Sequence, residues 1–589
     1  MKRFLTMAMA VIMMFASAVS LTACGGGGSS NAGDRVQIEF RCETSGEAKI
    51  AYINAIKAYN EGQGKEDGVY VNAAYNVSSN NLGQAISSAS AQTPNVVCIK
   101  DDNFKGYASL GYFLDLDDYL TADAKAQMLW SEIPEMLINR YCYDNDTRIA
   151  GKGASVLGLP LGGNPYLLYY NTEMLAQANI NVISIEESAL AGTGYLPHGY
   201  AEYKVAPADG LVAGTNNAGE TVYKVFNNKI PMNWEEFRYL MLHLKKALNQ
   251  TYSYFSEYWF EYGYSVGGDC VAWDGEKYVF GLNDKSSNYI ATQNVTVNGK
   301  NYVAGEILSY EDKATVTEGA EGLYAIPSTY EAFLEFNRLA VPTSKTVDII
   351  DDVAIKGYGL APTDTSARGR NFMNGSSAFT ADFYAVAEEF KNSSLNGKFD
   401  VTLEQQYREY EGGSLVNENA DINDMQVKVI GETYNGSVYT GELKKVNGTA
   451  IVGKMATTSL NNAICIAKNS LQSEYDASFK FASWLAGPEG QALLAKGNTN
   501  VPNQTSVAKG SAFANNERYV ANAWAIATAN SVADMGDWAY FDEGSWVTAW
   551  ADMLNTDVRK GEKTLTEFFN TKLNSANTAL AEMNLRVYR

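Results

Sequence analysis

The run NVVCI at 95–99 constrains this chain more than any other feature. An almost uninterrupted apolar run has no polar face, so a strand built from it must be covered on both sides, as in a parallel sheet packed between helices. Its neighbours agree. VQIEF at 36–40 and VYVNAAY at 69–75 alternate apolar and polar residues as strands do. Between them, Ile50, Ile53, Ile56 and Tyr59 read as the buried stripe of a helix. Strands and helices in alternation predict βαβ units with right-handed crossovers and an α/β fold.

Later helix boundaries are marked by side chains that satisfy backbone donors. Asn233 with Glu236, and Ser328 with Glu331, have capping-box spacing. Behind the first, Trp234, Phe237, Leu240, Met241 and Leu244 form a buried stripe; behind the second, Phe333, Phe336 and Leu339 do. Phe479, Ala482 and Leu485 precede Gly487-Pro488, which stops one helix and begins the next. Leu565, Phe568, Phe569, Leu573, Ala576 and Leu580 predict a long helix near the C-terminus. Asn298-Gly299 in TVNGKNYV and Asn435-Gly436 in TYNGSVY predict hairpins. With the Gly-, Asn- and Ala-rich region 180–230, these read as surface insertions on an α/β frame.

Residues 1–23 do not belong to that frame. Lys2 and Arg3 head an almost wholly apolar run at 4–19, the layout of a secretory signal and too short for a good membrane span. Leu21-Thr22-Ala23-Cys24 resembles the lipobox of bacterial lipoproteins. The resemblance implies cleavage before Cys24, diacylglycerol on its sulfur, and anchoring on the extracellular face of the cell membrane. Two or more acyl chains suffice for stable anchoring. Residues 24–33 then form a Gly/Ser tether reaching about 15–20 Å as a random coil.

The chain has a net charge of −21, and loss of Lys2 and Arg3 takes its 46 basic residues to 44 against 67 acidic ones. So acidic a surface disfavours nucleic acid and offers no broad patch for anionic lipid. Cys42, Cys98, Cys142, Cys270 and Cys465 follow Cys24, and an odd set cannot pair completely. Cys42 and Cys98 both end candidate strands, so a disulfide between them stays open beside the plainer reading as buried thiols. With His198 and His243 as the only imidazoles and no CxxC, neither a metal site nor a cofactor is expected.

Four segments, in order, carry a family resemblance: LPLGGNPYLLYYNTEML (159–175), MNWEEFRYLMLHL (232–244), FMNGSSAFTADFYA (372–385) and FASWLAGPEGQALLAKGNTNVP (481–502). Together they resemble the extracellular solute-binding proteins of ABC transporters, in the maltose-binding-like, carbohydrate-associated family. The resemblance implies a two-lobed periplasmic-binding-protein-like fold with discontinuous lobes, hinge strands and a central ligand cleft. Lobe one would take 34–162 and about 425–510; lobe two would take 163–424 and about 511–589. The implied partners are a carbohydrate ligand and ABC permease subunits, with the membrane reached through the lipid anchor, no nucleic acid, and a monomeric receptor.

A sugar needs aromatic plates for its C–H faces and acids or amides for its hydroxyls. In open α/β sheets, ligands meet the loops at the carboxyl ends of strands. Glu43 follows the first strand there, and Asp102 and Asn103 follow the third; helix capping and solvated turns are the equal alternative for all three. By the resemblance, Asn164 matches a polar contact position, and Tyr258 and Trp259 precede the Gly-Gly turn where the family places cleft aromatics. Asp382 and Tyr384 fall at the family's stacking position, although Phe383-Tyr384 replaces its Trp. Trp546 in DEGSWVTAW matches another aromatic plate, with Trp538 its neighbour, whereas Trp550, one turn along, reads as packed.

The competing classes are a surface glycosidase using two carboxylates and a glycan-binding lipoprotein without a transporter. Acids are too abundant here for a carboxylate pair to identify an active site. The sequence has no Gly-x-Ser-x-Gly elbow, P-loop or His cluster, so binding without catalysis is expected.

Overall fold

The computed structural model describes residues 32–513, apart from 91–92, 192, 196–199, 208–209, 217, 257, 318, 364–368, 414–427, 435, 498–499 and 511–512, and then residues 557–585. Cys24, Trp538 and Trp546 lie outside the described residues, as does the side chain of Asp102.

β1 (Val36–Arg41), β2 (Val69–Ala74) and β3 (Val96–Lys100) run parallel in the order β2-β1-β3. α1 (Gly46–Glu61), α2 (Ser79–Ser87) and α3 (Asp101–Ser109) cover them. β3 shows why the NVVCI run is continuous. Val96 and Cys98 pack on one face with Phe40 and with Tyr52, Ile56 and Tyr59 of α1. Val97 and Ile99 pack on the other with Leu82 and Ile86 of α2 and with Phe104 of α3.

The stripe expected along α1 is corrected. Ile56 and Tyr59 are buried with Ala51, Tyr52 and Ala55, but Ile50 and Ile53 are 49% and 40% exposed. Strict spacing of three falls back about 60° per step against a 3.6-residue turn, so Ile50 and Tyr59 end on opposite sides.

β4 (Leu159–Asn171) is a 13-residue strand that serves two sheets. Through 166–171 it pairs antiparallel with β5 (Phe379–Phe383) and β6 (Phe399–Thr402). Through 159–165 it pairs antiparallel with β7 (Ser459–Ile466), which in turn lies antiparallel to β3. The first body is therefore β2-β1-β3-β7-β4, and the second is built on β5-β4-β6. In the second body Leu168 and Tyr170 face Phe237, Leu240 and Met241 of α4 (Trp234–Ala247), while Leu167 and Tyr169 face Phe372, Phe390 and Val401.

Both expected capping boxes are present, at the starts of α4 and of α6 (Thr329–Ala340). Between them α5 (Phe260–Ser265) leads into the Gly267-Gly268 turn. Trp234 departs from the buried stripe of α4: it is half-exposed while Phe237, Leu240, Met241 and Leu244 are buried. The pair α7 (Tyr475–Ala486) and Pro488–Leu494 is split at Gly487 as expected, and α8 (Leu565–Asn584) buries Leu565, Phe568, Phe569, Ala576 and Leu580.

The insertions form small sheets of their own. Ile180–Ile183, Tyr200–Tyr203 and Ala213–Thr215 all pair with Thr221–Asn227. Asn298 and Gly299 both have positive φ, +49° and +80°, as a type I′ hairpin turn requires. Thr433–Tyr434 pairs with Ser437–Val438 around the second expected turn. These later hairpins stay with the second body: Tyr203 bridges Ile430, Tyr410 bridges Leu443 and Arg408 bridges Val452. After these hairpins the chain enters β7, between β3 and β4.

All five described cysteines are buried free thiols, Cys42 and Cys98 included. Burial pushes Cys98 up to about 11 and Cys142 up to about 12, away from the reactive thiolate range. No helix among the described residues is long and apolar enough to cross a membrane.

Candidate functional site

Strand register gathers the candidate residues from distant parts of the chain. Lys100, the last residue of β3, is level with Asn462 of β7, and the next β7 residues, Asn461 and Leu460, are level with Gly163 and Asn164 of β4. Arg41 of β1 is level with Val97 of β3, so Glu43 emerges at the same edge. Glu43, Asn103, the backbone of Asp102 and Asn164 therefore occupy the edge of the first sheet where β4 leaves it. Immediately beyond, Tyr166 is level with Phe383 of β5, so Asp382 and Tyr258 belong to the same neighbourhood.

Each candidate has a distinct setting. Glu43 is exposed and meets Lys100 Nζ at 3.2 Å; so open a pair contributes no more than about 1 kcal/mol. Asn103 is half-buried on the first turn of α3. Asn164 is half-buried, and its Oδ1 accepts the Ala385 N–H at 3.0 Å, so it joins the crossing strand to the segment after β5. Tyr258 is half-buried and stands edge-on to Tyr166 at 5.3 Å and to Phe383 at 5.6 Å.

Other candidates are packed more deeply. Trp259 is 3% exposed and edge-on to Phe333, inside the second body's core. Tyr384 is fully buried, with Phe513 6.1 Å away. Asp382 is 3% exposed, and its Oδ1 accepts the Phe383 N–H at 2.8 Å.

Beside Asp102, Asp101 proves to be structural. Its Oδ2 accepts the Asn461 N–H at 2.7 Å, its Oδ1 accepts the Tyr141 hydroxyl, and it pairs with Arg140 at 3.5 Å with both side chains 2% exposed. The acid after β3 thereby ties β7 to the segment before β4.

Sequence reasoning missed a second group at the crossing. The Thr457 hydroxyl donates to the Tyr166 carbonyl at 2.6 Å, and the Thr458 N–H donates to the Glu261 carboxyl. Glu261 and Glu404 are both buried. Burial raises each above the ordinary carboxylate range, and Glu261 raises Glu404 further. The available signal was an acid at the end of the apolar alternation FDVTL, where a solvated strand end gives no reason for burial.

Three passes of the chain meet here. β4 crosses at Asn164, the segment before β7 returns past Tyr166, and Val501 pairs with Gly163 in both directions, at 2.9 and 2.6 Å, before Phe513 rejoins the second body. Gly162 has φ +96°, and a Cβ there would lie 2.9 Å from the Val501 carbonyl. Amide, carboxylate and phenol groups at such a junction suit hydroxyl recognition more than electrophilic chemistry. Among the described residues, no group of three or more His, Cys, Asp or Glu is placed to hold a metal ion.

The model of the family described as bacterial extracellular solute-binding protein matches residues 54–528. Among solved structures, the cyclic alpha-maltosyl-1,6-maltose binding protein of Arthrobacter globiformis superposes with a TM-score of 0.53 at 13% identity, over 93% of this chain and 100% of that one. The sugar-binding protein MalE of Xanthomonas citri gives 0.53 at 13%, over 93% and 98%. The GacH receptor of Streptomyces glaucescens gives 0.52 at 12%, over 93% and 99%. At these identities the likeness is one of fold, the two-lobed α/β architecture. No curated protein sequence matches the chain.

Proposed function

From the premise that this chain belongs to the bacterial extracellular solute-binding protein family, we propose that it is a lipid-anchored receptor that captures a carbohydrate between its lobes. Cys24 carries the lipid, residues 24–33 hold the body off the membrane, and an ABC permease receives the released ligand. The observation that supports this reading most is the triple crossing at Asn164: three chain passes join two sheets, leaving candidate hydroxyl-binding groups on both sides of the joint. Such a joint suits hinge closure. The solved structures of like fold are described as a cyclic alpha-maltosyl-1,6-maltose binding protein, a receptor in complex with acarbose and a sugar-binding protein, and carbohydrate is the ligand class that aromatic and amide groups serve.

In this reading lobe one is the β2-β1-β3-β7 body and lobe two the β5-β4-β6 body. The ligand contacts Glu43, Asp102, Asn103 and Asn164 on one side and Tyr258, Asp382, Trp538 and Trp546 on the other. Trp259 and Tyr384 support the second wall from behind. Closure follows from contacts made by both lobes at once, because a ligand shifts a conformational equilibrium only by its differential affinity.

A thermal-shift screen over neutral oligosaccharides finds the ligand, since binding to the folded state raises its stability by mass action. X-ray scattering with and without that ligand then tests closure. The expected result is a smaller radius of gyration on binding. Binding without compaction would refute the clamp, and turnover of the glycan would favour a surface glycan-cleaving lipoprotein instead.

A further inference from the structure

A cavity of about 780 Å³ opens beside the first turn of α4, bounded by α6, the strand Leu323–Ile326 and the segment 407–413. It is not the crossing. α5 lies between the two, with Tyr262 packed on Trp234 of the cavity wall at 5.3 Å while neighbouring Glu261 accepts the Thr458 N–H. All its walls come from the second body.

Three half-buried rings reach the wall from three elements: Trp234 from α4, Tyr324 from the strand, and Tyr407 from the return segment, edge-on to Trp234 at 5.6 Å. Most of the charges around them are already matched. Glu335 meets Arg238 at 2.9 Å and Arg338 at 3.2 Å, and Lys444 meets Glu409 at 2.6 Å. Glu409 also accepts the hydroxyls of Tyr324 at 2.8 Å and Tyr407 at 3.2 Å. An anionic ligand would have to break one of these pairs and leave a part-buried carboxylate uncompensated. A neutral polyol meets half-buried rings, one of them (Tyr324) with Lys444 Nζ 4.8 Å over it, together with carboxylate and guanidinium edges held in fixed positions, which is what its C–H groups and hydroxyls need. The volume falls within the range of small-molecule sites.

We propose that this recess is a second binding site for an uncharged saccharide, one that fills without lobe closure because a single lobe supplies all of its walls. It takes its ligand class from the reading above but not its location. A glycan held here stays bound to the open form, and only one long enough to reach the cleft gains an effective concentration there.

Calorimetry of the purified full chain with maltotetraose, cellotetraose, mannotetraose and xylotetraose tests it. The expected result is two binding events with at least one of the four. Tyr324→Ala and Tyr407→Ala should each weaken one event by at least about tenfold, as for a lost aromatic anchor, leaving the other event and the compaction unchanged. Tyr407→Phe keeps the ring and should keep both events, which separates stacking from loss of folding. A single event indifferent to both alanine variants would overturn the second site and leave the cleft standing. A single event lost in both would place binding here alone and overturn the cleft. No binding of any of the four would overturn the second site, while the thermal-shift screen decides the cleft separately.

Discussion

Glu261 shows most directly how position sets a side chain's chemistry. It is 1% exposed, burial pushes it up to about 8, and the equally enclosed Glu404 stands beside it. A proton held by the folded chain and released by the unfolded one stabilises the fold at low pH. That contribution is complete below the ordinary value of 4.5 and fades as pH climbs toward 8. Glu261→Gln keeps an oxygen for the Thr458 N–H and removes the titration. Urea midpoints of the native chain should fall between about pH 5 and pH 8, and those of the variant should fall less; equal falls would clear Glu261 as the source. The same scale shows where sequence reading stops. Asp101 and Asp102 look alike in IKDDN, yet Asp101 is a buried tie because Arg140 and Tyr141 reach it from forty residues away. Nothing local announces that.

Among the elements, β4 concentrates the constraints. Gly162 holds φ +96° against the Val501 carbonyl, where a Cβ would sit 2.9 Å away. Gly162→Ala should therefore cost about 1–3 kcal/mol from backbone strain alone, read as a lower urea midpoint; a midpoint within about 0.3 kcal/mol of native would mean the crossing relaxes freely. Elements whose signals are local were legible: the two capping boxes, the Asn298-Gly299 turn and the Gly487-Pro488 break all depend on neighbours within a few residues. The stripe of α1 was misread at Ile50 and Ile53 because a spacing of three imitates a helical face over one turn and loses it over three. Trp234 was misassigned to the core for a related reason. Periodicity gives the side of the helix, but the first turn projects beyond the packing that covers the rest, and that overhang forms a wall of the recess beside α4.

At the scale of the whole molecule, the two-lobed α/β plan was legible. The four family-like segments fix the order of strands, but hairpins inserted at 429–452 carry no local mark of their partners, to which they bridge at Tyr203, Arg408 and Tyr410. The cleft aromatics were hard to choose because a ring that stacks on sugar and one that fills a core have the same spacing. Burial separates them: Tyr258 keeps a partly open ring, and Trp259 does not. On the proposed clamp, Trp546→Ala should weaken saccharide binding by about 1–3 kcal/mol, as loss of an anchoring ring does, and should reduce the compaction on binding. Unchanged affinity by calorimetry would remove Trp546 from the cleft.

The place of β7 governs the order in which this protein can be made. β3 and β4 share no neighbour until Ser459–Ile466 emerges, although β4 itself is complete at Asn171. Throughout translation of 172–458 the first-made sheet presents an unpaired apolar edge at Val96–Lys100 and cannot close. A nascent chain ending before 459 is thus denied a finished core and exposed to aggregation. A polypeptide that must stay threadable until its last quarter appears is well suited to leaving the ribosome for a translocation channel before it sets.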